Sequence, residues 1–113
     1  MQVILEKPVS RDGGYRLCAE GDRIMVSCDF LFDATTDERT QIKATFDRRN
    51  YVRAVESLAH GSTCCITNRD GAFLRLKVKN KREVTIHFGK EGAPQLIVDQ
   101  TAQPSDFMPS RRE

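Results

Sequence analysis

Tryptophan is missing altogether, and the large side chains left to fill a core are six phenylalanines, two tyrosines and the aliphatics. Long apolar runs are missing too: none approaches the roughly 20 residues that span a bilayer, so no membrane partner is expected. The start, MQVILEKPVSRD, has no basic lead, no long apolar stretch and no small-residue cleavage site. A cytoplasmic protein is the expectation. There are only two histidines, and the four cysteines show no C-x-x-C spacing. Adjacent strand residues such as Cys64 and Cys65 point to opposite faces and do not readily share one ion, so no metal site is expected. Free cysteines acting as small core residues suit a reducing compartment. Phosphate-cradling glycine motifs are absent; Gly13, Gly14, Gly21, Gly71, Gly89 and Gly92 are all read as turn residues, and no cofactor is expected. A strong excess of one charge is also lacking. The net charge of +2 does not by itself imply a polyanion partner.

What is present suits one globular domain. The chain has 113 residues, 39% hydrophobic and 30% charged, the range of a domain with a modest core. Gln2 to Lys7 reads as a short edge strand stopped by Pro8, and Tyr15 to Ala19 alternates after a turn at Asp12-Gly13-Gly14. From Arg23 to Asp33, the residues Ile24, Val26, Cys28, Phe30 and Phe32 share one strand face. Ile42, Ala44 and Phe46 alternate again, which completes a meander.

The period then changes. Tyr51, Val52, Val55, Leu58 and Ala59 mark one helical face, with Asp47 placed to cap its start and Gly61 to close it in a left-handed conformation. Strands return at Ser62 to Thr67, at Leu74 to Val78 after an Asn68-Arg69-Asp70-Gly71 turn, at Val84 to Phe88 and at Leu96 to Val98. The fold class is therefore α+β: mainly antiparallel β-sheet of about seven or eight strands, with one helix packed on one face. Residues 1–100 are read as the domain and 101–113 as a flexible C-terminal tail, pinned by Phe107 or Met108.

Charge is unevenly spread. Between Arg69 and Lys90 seven basic residues face two acids, whereas Asp29 to Glu38 holds Asp29, Asp33, Asp37 and Glu38 without a basic residue. Arg75, Lys77 and Lys79 are two apart and stand on one strand face, with Arg82 and His87 on the adjoining arm. Such a row fits an acidic protein surface or a phosphate backbone; it equally fits a solvated outer face that discourages edge pairing. Single-strand binders interleave aromatics with the basic residues, and only Phe73 is in phase with Arg75, so nucleic acid is the second reading. Asp29, Asp33 and Asp37 fit a basic partner or an ordinary strand end, and they lack the D-x-D-x-D-G spacing of a calcium loop. Cys65 and His87, both expected on the outer face, leave a cysteine-dependent enzyme as a remote alternative; without an oxyanion loop the chain is read as non-catalytic.

From about Arg23 to Val98 the order of elements resembles small bacterial immunity proteins of polymorphic-toxin systems, of the WapI-like type. The resemblance rests on a meander, the helix YVRAVESLAHG, the strand STCCIT and the hairpins of NRDGAFLRLKVKNKREVTIHFG. It implies a stoichiometric inhibitor of a toxin or defence enzyme, and it carries no functional residue over. Small phage-encoded inhibitors fit the same physical description. The chain differs from many immunity proteins in being slightly basic. A homodimer through an edge strand such as Gln2 to Leu5 is a further option.

Overall fold

Alternating apolar residues dictate most of the architecture, because a strand sends successive side chains to opposite faces. A computed structural model describes residues 1–10, 13–33, 38–61 and 63–109, with only the backbone path for residues 8–10, 13, 30–33 and 38–39. The elements run β1 (Gln2–Ser10), β2 (Gly13–Glu20), β3 (Arg23–Asp33), β4 (Glu38–Asp47), α1 (Arg48–His60), β5 (Thr63–Thr67), β6 (Ala72–Val78), β7 (Glu83–Lys90) and β8 (Leu96–Thr101), followed by a 3-10 turn at Pro104–Phe107. The protein is α+β and mainly antiparallel, as its alternation implies.

The strands form two four-stranded sheets, β1-β2-β3-β4 and β5-β6-β7-β8, each in sequence order. Ile24, Val26 and Cys28 of β3 stand opposite Phe46, Ala44 and Ile42 of β4, and Leu17 and Ala19 of β2 flank them. From the second sheet come Ile66, Leu74, Leu76, Val84, Ile86 and Phe88, and the two inward faces meet in one continuous core. Phe46 and Phe88 pack edge to face across it with ring centroids 6.5 Å apart. The Tyr15 hydroxyl donates to the Gln100 side chain, joining β2 to β8.

The helix links the sheets in sequence and in space. Asp47 caps it by accepting from the Asn50 N–H at 3.0 Å, and Tyr51, Val55 and Leu58 are buried. Its main neighbours are β5 and the 3-10 turn. Val52 is only half-buried and Ala59 is exposed, so the apolar stripe is narrower than the sequence pattern suggests. Gly61 corrects a sequence expectation: its φ of −124° is extended, and its N–H reaches the Ser57 carbonyl at 2.8 Å without a left-handed turn.

One further detail differs from the sequence reading, and the pinning of the last segment at Phe107 agrees with it. Pro8 does not end β1; the strand continues to Ser10 through a register shift between Lys7 and Ser10, an irregularity that an edge strand tolerates. Beyond β8 the chain packs back on the domain. Ala102 and Phe107 are buried, and the Phe107 carbonyl accepts from the Tyr51 hydroxyl at 2.5 Å. Among the described residues, no helix is long and apolar enough to cross a membrane.

A candidate partner-binding face

The outward faces of β5 to β8 make one open surface, and the register says which side chains meet there. Cys65, Arg75, His87 and Ile97 lie in one row across the four strands. Thr63, Lys77, Thr85 and Asp99 form the next row, and Thr67, Phe73 and Gly89 the row on the other side. Leu74, Leu76, Val84 and Ile86 point the other way and anchor those strands in the core, which holds the outward groups on a fixed lattice.

Phe73 and Gly89 are matched. The Phe73 ring lies across Gly89 so closely that a Cβ there would come within 2.7 Å of the ring. This corrects the reading of Gly89 as a turn residue: it is inside β7 and buried, and its bare backbone makes room for the aromatic. The ring meets His87 edge to face at 4.9 Å, and the Arg75 guanidinium lies over it at 5.8 Å. His87 Nε2 is 2.8 Å from Gln95 Oε1, which fixes the imidazole at the top of the face. Arg75, Phe73, His87 and Gln95 thus form a chain of contacts running from β6 to the start of β8.

The lower edge is electrostatically different. Lys79, just beyond β6, is ion-paired with Asp99 of β8, and Thr85 Oγ1 donates to Asp99 Oδ1 at 2.6 Å. The hydrogen bond from Lys79, then that from Thr85, holds the Asp99 carboxyl below the usual carboxylate range; the same bond raises Lys79. Both groups are exposed, so the pairing orients them and quenches one positive charge more than it stabilises the fold. Arg75 and Lys77 are exposed at the centre of the face. Arg82 is exposed in the β6–β7 turn, where its carbonyl accepts from the Ala102 N–H at 3.0 Å.

Of the sequence-marked residues, then, Arg75, Lys77 and His87 come together, Lys79 joins them as half of an ion pair, and Arg82 lies beyond the strand end. The acidic group is elsewhere. Asp29 is half-buried on the other sheet, beside a cavity of about 340 Å³ whose lining includes Lys7, Arg16 and Gln41. Arg16 pairs there with Glu6 at 2.7 Å. Asp33 is aligned with Glu38 at the end of the β3–β4 pair, and Asp37 lies outside the described residues. Asp29, the acidic candidate whose side chain is described, and the basic candidates do not build one site.

Cys65 and His87 are both outward, but Arg75 stands between them. Two strand spacings, about 10 Å, separate their backbones, and Cys65 Sγ leans toward the carbonyl of its neighbour Ile66 at 3.9 Å. They do not form a nucleophile–base pair. The other thiols are shielded. Burial pushes Cys28 up to about 12, with Asp29 adding to the effect, and burial also raises Cys64. Tyr51 and Tyr15 are likewise raised by burial. Among the described residues, no three metal-ligating side chains cluster.

Sequence reasoning missed Ile97 and Gln95. Leu96-Ile97-Val98 is an uninterrupted apolar run, and such a run does not reveal which residue faces out; in the structure Ile97 is 66% exposed. Pairing of β7 with β8, which puts Ile97 opposite His87, is the missing information. Comparison of the chain with protein-family models, curated proteins and solved structures found no match.

Proposed function

We propose that this chain is a non-catalytic protein-binding module, an inhibitor or immunity-type protein that neutralises a toxin or defence enzyme by stoichiometric binding through the outer face of β5–β8. The observation that carries this reading is the composition of that face. An exposed arginine and lysine stand beside a half-buried phenylalanine and histidine, with an exposed isoleucine at the margin. Arginine and aromatic side chains carry much of the energy of protein interfaces, and a flat strand surface suits a protein better than a small molecule. The resemblance in element order to small immunity proteins adds weight to the inhibitory role and to a cytoplasmic location.

Nucleic acid remains the second reading because Arg75 and Lys77 are close to one another in adjacent rows. Against it, the Phe73 ring is already engaged by Arg75 and His87, and the Asp99 carboxylate stands on the same face. A base needs a free ring to stack on, and a phosphate is repelled by a carboxylate. The test is capture of native lysate proteins on the tagged chain, with and without nuclease. A stoichiometric protein that survives nuclease and moderate salt supports the inhibitor; retention of nucleic acid alone, lost on nuclease treatment, replaces it with the second reading.

A further inference from the structure

Each sheet has two edges, and three of the four carry a device that obstructs pairing with another strand. β1 has register shifts between Val3 and Leu5 and again between Lys7 and Ser10. On β4, Asn68 Nδ2 donates to the Thr45 carbonyl at 3.0 Å and Lys43 is exposed. β5 is short and has α1 packed against it. Bulges, lysines and covering elements are the usual means of blunting a strand edge.

β8 has none of these. Its register with β7 runs unbroken from Glu83↔Thr101 to Phe88↔Leu96, and no described strand pairs with its far side. The segment LIVDQT contains no proline, lysine or glycine. Its single charge, Asp99, is already held by Lys79 and Thr85. Ile97 is 66% exposed, and Leu96 and Val98 are only partly buried, so three consecutive apolar residues are incompletely covered here; Val3, Ile4 and Leu5 of β1 are also incompletely covered, but on a strand with register shifts.

We infer that β8 pairs antiparallel with β8 of a second copy of this chain, with Ile97 opposite Ile97 about a two-fold axis. The outward residues are Gln95, Ile97, Asp99 and Thr101, and charge selects among the registers that keep both outer faces on one side. Centring on Asp99 sets two carboxylates opposite each other, and pairing Ile97 with Asp99 lays a carboxylate on an apolar side chain. Centring on Ile97 joins the two isoleucines, sets each Gln95 amide opposite an Asp99, and brings Leu96 against Val98 on the inner side. A closed, self-complementary contact follows. The two sheets continue into one of eight strands, and the outer face around Arg75 is doubled and left open. The pairing covers Ile97 at the margin of that face and leaves Phe73, Arg75, Lys77 and His87 open to whatever the face binds.

One strand pair buries less than a standard interface, so the expected dissociation constant is about 10–100 µM. In sedimentation equilibrium of the full chain, the mass is expected to rise from 12.8 kDa toward twice that value across this range. Ile97→Lys opposes two ammonium groups at the centre of the pair and is expected to stay monomeric, with thermal unfolding of the dilute protein unchanged. In a Cys65→Ser background, Ile97→Cys is expected to give a disulfide-linked dimer on mild oxidation, whereas Val3→Cys on the bulged edge gives none. A wild-type chain still monomeric at about 1 mM overturns the pairing. So does a dimer that Ile97→Lys leaves intact, or one that only Val3→Cys cross-links.

Discussion

Replacing Phe107 with alanine asks whether the chain beyond β8 belongs to the folded domain. Phe107 is completely buried, on a 3-10 turn that packs against α1 and β1. The turn is fixed by Gln103 N donating to Asp106 Oδ2 at 2.8 Å and by Tyr51 donating to the Phe107 carbonyl. Phe107→Ala removes a whole ring from a filled site, which costs about 3–5 kcal/mol. Domains of this size have about 5–15 kcal/mol in total, so a large share of stability is at stake. At about 4 °C per kcal/mol, the midpoint of thermal unfolding should fall by roughly 12–20 °C. With no tryptophan in the chain, urea unfolding followed by far-ultraviolet circular dichroism is the suitable assay. A loss below about 1 kcal/mol, or full stability in a chain ending at Ala102, would refute the reasoning.

Three further outcomes are expected. In the native protein at pH 8, a thiol reagent should label Cys65 quickly and the buried Cys18 and Cys28 slowly, while denaturant should expose all four; equal rates in the native state contradict the strand register. Cys28 should make stability fall in alkali. Below the unfolded value of 9.0 both states hold the proton; between there and about 12 only the native state does, so stability declines by about 1.4 kcal/mol per pH unit relative to Cys28→Ala, and parallel profiles of the two proteins contradict the burial. Gly89→Ala should push Phe73 off its place and shift the His87 ring resonances, with Phe73→Ala relieving the strain; unchanged spectra would show that the ring does not lie across Gly89.

Strand positions were legible because most are amphipathic: β3 falls at Arg23–Asp33, as its alternation implies, and Phe88, in phase with Val84 and Ile86, is wholly buried. The helix and its Asp47 cap were legible from the change of period. The division into two sheets was not, because alternation fixes which residues face inward but not which strands are neighbours. For the same reason Asp99 could not be foreseen as the partner of Lys79, nor Gly89 as the floor beneath Phe73, since both relations cross strands. From sequence Gly89 reads as a turn residue because glycine most often marks one, and a close ring above a strand leaves no local pattern. On the face itself, Arg75, Lys77 and His87 were visible from spacing, while Ile97 was hidden in an apolar run.

The most direct test of the docking face is the affinity of the captured protein partner for the wild-type chain and for Arg75→Ala/Lys77→Ala, measured by titration calorimetry at fixed salt. Both side chains are exposed and outside the core, so the double variant should fold as wild type. A loss of about 100-fold or more is expected if these residues are the charged centre of the interface. Unchanged affinity in a folded variant would contradict the placement of the partner on this face.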